Sequence, residues 1–121
     1  MARVTTLRPE LWPLMKAPSV ETPCCAVCGR PAPLERHHVV FRSEGELWRD
    51  GRRVPKPTVT LCGFGNVLAS PDGRPYCHGL AHHRMLHFRW TGERLEYLRT
   101  DSPTKYCRAL QMDGWRGLRQ W

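Results

Sequence analysis

The sequence has no apolar run approaching the roughly 18 residues that a membrane-spanning helix needs, no internal repeat and no low-complexity tract. Residues 1–8 carry charge but lead into no apolar stretch of the kind a secretory signal requires, so no signal peptide is expected. These absences argue against a membrane protein, a solenoid and a secreted chain. The expected compartment is a reducing cytoplasm, with no membrane partner. There, six cysteines that include a Cys-x-x-Cys pair read better as metal ligands than as a disulfide frame. A concentrated basic tail is missing too. The net charge is +8 and the pI about 9.7, yet residues 1–36, 37–76, 77–100 and 101–121 each carry a surplus of two positive charges. A balance this basic points to a polyanionic partner, most often nucleic acid, and the binding face must be assembled by folding. The 121 residues suffice for one domain with a modest core.

Residues 1–23 hold Pro9, Pro13, Pro18 and Pro23 with few periodic apolar positions. They read as an irregular N-terminal arm with a short helical turn near 11–15. The β-branched and aromatic character of 34–41 predicts a strand, and 58–62 a second. Between them 42–57 is polar and rich in Gly and Pro, hence a loop, as is 63–75. Residues 77–88 are the best helix candidate, although Gly79 costs about 1 kcal/mol relative to Ala there. A strand is expected over 93–100 and a helix over 104–112. The domain boundaries expected are 1–23 for the arm, 24–100 for the functional unit and 101–121 for a helical C-terminal extension.

Two clusters of side chains carry chemistry. Cys25 and Cys28, followed by Gly29, form a knuckle whose glycine permits a positive-φ turn and lets backbone amides face thiolate sulfur. Cys62 and Cys77 complete a four-thiolate set suited to structural zinc, though they stand fifteen residues apart. Cys24 is an alternative to Cys25, and Cys107 is expected to be free. The second cluster is histidine. Residues 77–83 read Cys-His-Gly-Leu-Ala-His-His, which puts His78 and His82 four apart on one helical face, a spacing that grips metal. The tandem His37-His38 can supply a third ligand from a strand and leave its neighbour as a base. An imidazole titrates near about 6.5 and can take a proton from water at neutral pH. Together these are the parts for metal-assisted hydrolysis of a phosphodiester.

The order of these motifs resembles that of the HNH endonucleases, in their zinc-stabilised, phage-type form. It runs Cys25-x-x-Cys28-Gly, then Arg36-His37-His38 with Arg42, Ser43 and Gly45, then Val-Thr-Leu-Cys62, then Cys77-His78-Gly-Leu-x-His82. The resemblance covers roughly residues 24–88. It implies an α+β chain with a small ββα-metal, treble-clef-like fold. His37, His78 and His82 would be ligands of a catalytic divalent metal (Mg²⁺, Mn²⁺, Ni²⁺, Co²⁺ or Zn²⁺), the last by likeness to the colicin-DNase branch. His38 would be the general base. Cys25, Cys28, Cys62 and Cys77 would hold structural Zn²⁺. Products would carry 5′-phosphate and 3′-hydroxyl ends. DNA would be the partner, with a phage terminase large subunit as a further one, in a bacterial host or encoded by its phage.

One departure stands out. The family's middle Asn, which braces the loop before the second strand, is replaced by Pro57 or Thr58, and Asn66 is the available substitute. Arg42, Arg52, Arg53 and Lys56 are expected to contact DNA phosphates. Trp48, Trp90, Trp115 and Trp121 read as packing residues. His83 and His87 form a rival i, i+4 pair on the expected helix and are read as exposed or phosphate-facing. A non-catalytic zinc-finger module that binds DNA is the alternative function.

Overall fold

The computed structural model describes residues 4–121. The chain is a small mixed α/β unit with short helices and small sheets. Strand β1 (Leu34–His38) pairs antiparallel with β4 (Thr58–Cys62), in a register that runs from Leu34 opposite Cys62 to His38 opposite Thr58. Val20 bridges in parallel to Val59 and covers the free edge of β4. The long connection between β1 and β4 contains a two-residue hairpin, β2 (Trp48–Arg49) and β3 (Arg52–Arg53). Its turn is Asp50-Gly51 with both residues at positive φ, the Asp-Gly hairpin signal in a stretch read from sequence as loop alone.

Helix α1 (Cys77–His82) follows the second loop and is only six residues long. This corrects the expected helix over 77–88. The chain leaves α1 through a Schellman turn: Arg84 N–H donates to Ala81 O and Met85 N–H to Leu80 O, with Arg84 left-handed at φ 59°. Residues 86–90 then form β5 (Leu86–Trp90), paired with β6 (Leu95–Arg99). The alternation of large side chains there finds a strand partner, and pairing outweighs weak helix propensity. His87 is therefore buried in a strand, where its Nε2 donates to Arg84 O at 2.9 Å; it shares no helical face with His83. The expected C-terminal helix shrinks to α2 (Tyr106–Ala109), and β7 (Arg116–Gly117) adds to the outer edge of β6.

The N-terminal segment is irregular in backbone but takes part in the core. Two 3-10 turns, Pro9–Leu11 and Pro13–Lys16, bury Leu11, Leu14 and Met15, and the second turn packs on β5. Their proline starts suit a first helical position, where no backbone donor is needed.

Among the glycines of the described residues, Gly79 has the least room for a side chain. A Cβ there would lie 2.0 Å from Val67 O and 2.7 Å from its carbonyl carbon. That backbone closes the loop before α1 and cannot swing away. Gly79→Ala, which on helix propensity alone stabilises by about 1 kcal/mol, is expected to destabilise the protein by about 2 kcal/mol or more. A thermal melt checks this; a raised midpoint would contradict the packing.

Candidate metal centres and cleft

The four sulfur atoms of Cys25, Cys28, Cys62 and Cys77 lie within 4.8 Å of one another, and Cys28 Sγ is 3.6 Å from Cys62 Sγ. Tetrahedral zinc–thiolate geometry sets sulfur atoms about 3.8 Å apart, so the donor set fits that ion. Each ligand comes from a chain segment with a local reason for its place. Gly29 takes φ 83° and its N–H donates to Cys25 O, closing the knuckle. Cys62 ends β4 and Cys77 opens α1, where its own N–H points at Cys62 Sγ at 3.3 Å. The fifteen-residue spacing of this pair is absorbed by a loop pinned from the knuckle side. Buried Arg30 donates to Asp72 Oδ1 at 3.1 Å and to Arg74 O at 3.2 Å, and its guanidinium lies 4.9 Å over the Tyr76 ring. The crowding polarises the thiols. Hydrogen bonds from Cys28, then Cys62 and Cys77, pull the Cys25 thiol down, while those with Cys25, Cys28 and Cys62 push Cys77 up. Cys24 and Cys107 stand outside the quartet.

The second cluster is His37, His78 and His82, with one nitrogen from each ring within 4.8 Å of the other two. His37 comes from β1 and the other two from successive turns of α1. The Nε2 atoms of His78 and His82 are 3.1 Å apart. Glu35 Oε1 accepts the Nδ1–H of His78 at 2.9 Å, which leaves the His78 Nε2 lone pair facing the cluster. A second lone pair at that distance repels it unless a proton or a cation lies between. Ring nitrogens sharing a zinc-sized ion stand about 3.4 Å apart, so this set too fits a metal.

Burial holds His37 neutral, with its titration pushed down to about 3, first by desolvation and then by the charges of His78 and His82. Its ring is wedged between Phe41 at 5.6 Å and Phe88 at 5.8 Å. Phe41 also stacks on exposed His82, 5.4 Å away and 8° from parallel. Desolvation, then His78, lowers His82 as well. Glu35 stays ionised below the usual carboxylate range. Partial burial opposes this but is outweighed by the Gly65 N–H it accepts and by His78.

Glu35 was not read from the sequence as part of any site. The signal was available: it stands two residues before His37 on the same strand, and alternate strand residues share a face.

The three imidazoles open into a cleft of about 800 Å³. His38 lines it, is exposed, and has no hydrogen bond to another described side chain. Arg42, Arg53 and Lys56 line it as the sequence reading expected, and Arg36 and Arg84 line it without having been anticipated. Arg52 is exposed one position along from Arg53, on the opposite face of β3, and does not line the cleft. Lys56 is pulled inward: its Nζ donates to Phe41 O at 2.8 Å and faces Glu46 at 3.6 Å. No asparagine lines the cleft among the described residues. Asn66 presents its backbone carbonyl to His83 Nε2 at 3.0 Å instead, so His83 is turned away from the histidine cluster. Trp48, Trp90 and Trp115 are partly buried, while Trp121 is 60% exposed.

The chain matches no protein-family model, no curated protein and no solved structure. What can be said of its function therefore rests on these two clusters and the cleft. No helix among the described residues is long and apolar enough to cross a membrane.

Proposed function

We propose that the protein is a metal-dependent DNA endonuclease of HNH type with a ββα-metal core, hydrolysing phosphodiester bonds beside a structural zinc held by Cys25, Cys28, Cys62 and Cys77. The observation that carries the reading is the convergence of His37, His78 and His82 at a cleft that also presents a free imidazole and several arginines. Arg36, Arg42 and Arg53 hold substrate phosphates by charge-assisted hydrogen bonds. His38 accepts the proton of the attacking water. Glu35 fixes the tautomer of His78, as a carboxylate behind a ligating imidazole does, and the Phe41–Phe88 pair fixes the ring of His37. His37, His78 and His82 would hold a divalent ion, which would supply positive charge to the phosphate under attack and to the leaving 3′-oxygen. Lys56 braces the loop before β4, the task the resemblance gives to the missing asparagine.

Cut DNA should carry 5′-phosphate and 3′-hydroxyl ends, so nicks made by the protein in plasmid should be sealed by DNA ligase without end repair. Nicks that resist ligase would point to a different leaving group. Binding should come mostly from phosphates. With about three such contacts, affinity should fall roughly fortyfold between 50 and 200 mM salt, and a flat response would refute the groove. His82→Ala should raise the metal concentration needed for half-maximal cleavage, while His83→Ala should leave it unchanged, because His83 is bonded to Asn66 O. The loss of the asparagine favours a second reading, a DNA-binding zinc module without catalysis; it differs in binding plasmid yet leaving it intact with every metal.

A further inference from the structure

Arg84 occupies a position that backbone physics would give to glycine. It is the left-handed residue of the Schellman turn that ends α1, at φ 59°, two residues after His82. Only glycine takes that conformation without steric cost, and helices ending this way usually place glycine there. Nothing in the turn needs an arginine side chain. The turn is built by backbone and by a neighbour: Arg84 O accepts from His87 Nε2 and from Thr104 N–H, both at 2.9 Å.

Among the described residues the side chain makes one ion pair, a long one to Glu44 at 3.8 Å, and Glu44 is held more tightly by Arg8 at 2.6 Å. About half of the side chain is exposed, and it lines the cleft beside His82. A strained backbone kept at the mouth of a site, with a charge aimed into it, is the pattern expected where strain serves binding.

We propose that Arg84 is a substrate-binding residue, a phosphate contact supplied by the turn that ends α1 and lining the same cleft as Arg42 and Arg53 of the long β1–β4 connection. Its place is set by the left-handed turn, and His87 acts as a positioning residue by pinning the Arg84 carbonyl. This assignment rests on the nucleic-acid reading of the cleft and adds to it a phosphate contact from the turn after α1.

Arg84→Gly separates a binding role from a structural one, because the two predict opposite signs. Glycine relieves the strain, so the thermal midpoint should rise by about 3–5 °C. Binding of an oligonucleotide duplex, without added divalent metal, should weaken about tenfold at low salt. The slope of log affinity against log salt should become shallower by about one unit. Arg84→Lys should recover most of the slope but not the gain in midpoint. A structural role would instead give a lower midpoint with an unchanged salt slope, and that result overturns the assignment. Wild-type protein that binds and cleaves DNA together with an Arg84→Gly variant of equal affinity overturns this inference alone; wild-type protein that binds no DNA overturns the nuclease reading with it.

Discussion

Replacing His38 with alanine is expected to lower plasmid cleavage by about 10²–10⁴, the usual loss when a general base is removed, while metal binding, DNA binding and thermal stability stay near wild type. The asymmetry follows from where the two tandem histidines stand. His37 is 3% exposed, clustered with His78 and His82 and packed between two phenylalanines. His38, the next residue of β1, is exposed in the cleft and has no hydrogen bond to a described side chain. Removing it costs little packing and no ligand. His37→Ala should behave differently, losing metal affinity and also stability, since it opens a void between Phe41 and Phe88. Kinetics and metal titration on the two variants check the pair. A His38→Ala protein that no longer binds metal, beside a His37→Ala protein that does, would reverse the roles.

Cys28→Ser should cost the protein most of its cooperative fold. Structural zinc in small domains contributes apparent binding energies of about 10–16 kcal/mol, comparable to the whole net stability of about 5–15 kcal/mol typical of a domain. Here the quartet ties the knuckle, the end of β4 and the first residue of α1. Cys77 immediately precedes His78, so slackening the thiolate site also frees the helix that carries two of the three clustered imidazoles. Serine keeps the volume of the side chain but gives up the soft thiolate, so the loss reports on metal rather than on packing. Elemental analysis should find one tightly held zinc per wild-type chain, and circular dichroism should show a large drop in the melting midpoint for the variant. A folded, zinc-free wild-type protein, or a Cys28→Ser variant that melts like it, would refute the site.

The residues of both clusters were readable in the chain, because their spacing is a local property. A Cys-x-x-Cys knuckle with its glycine, a His-x-x-x-His pair and a tandem His on a β-branched stretch each announce themselves within a few residues. The strand over 58–62 was likewise local, and β1 was legible except for its end, which stops at His38 rather than at Phe41. What was not legible depended on contacts between distant segments. Helix α1 stops at His82 because the next residues find a partner in β6, and nothing inside 77–88 announces that partner. Leu7, Leu11 and Leu14 are spaced for one helical face, but the surrounding prolines hid their burial. The bond of Lys56 to Phe41 O was not legible because it spans fifteen residues. Arg84 was overlooked because its place depends on a turn that ends the helix earlier than the pattern predicts.

The most direct test of the nuclease reading is a side-by-side plasmid cleavage assay with wild-type and His78→Ala protein, each given equal concentrations of Mg²⁺, Mn²⁺, Co²⁺, Ni²⁺ or Zn²⁺. Three imidazole donors suit the transition metals better than oxygen-seeking Mg²⁺. The account predicts that wild type converts supercoiled plasmid to nicked or linear forms, faster with at least one transition metal than with Mg²⁺, and that His78→Ala is inactive with all five. Plasmid left intact by zinc-loaded wild-type protein under every condition, or cut equally well by His78→Ala, would contradict it.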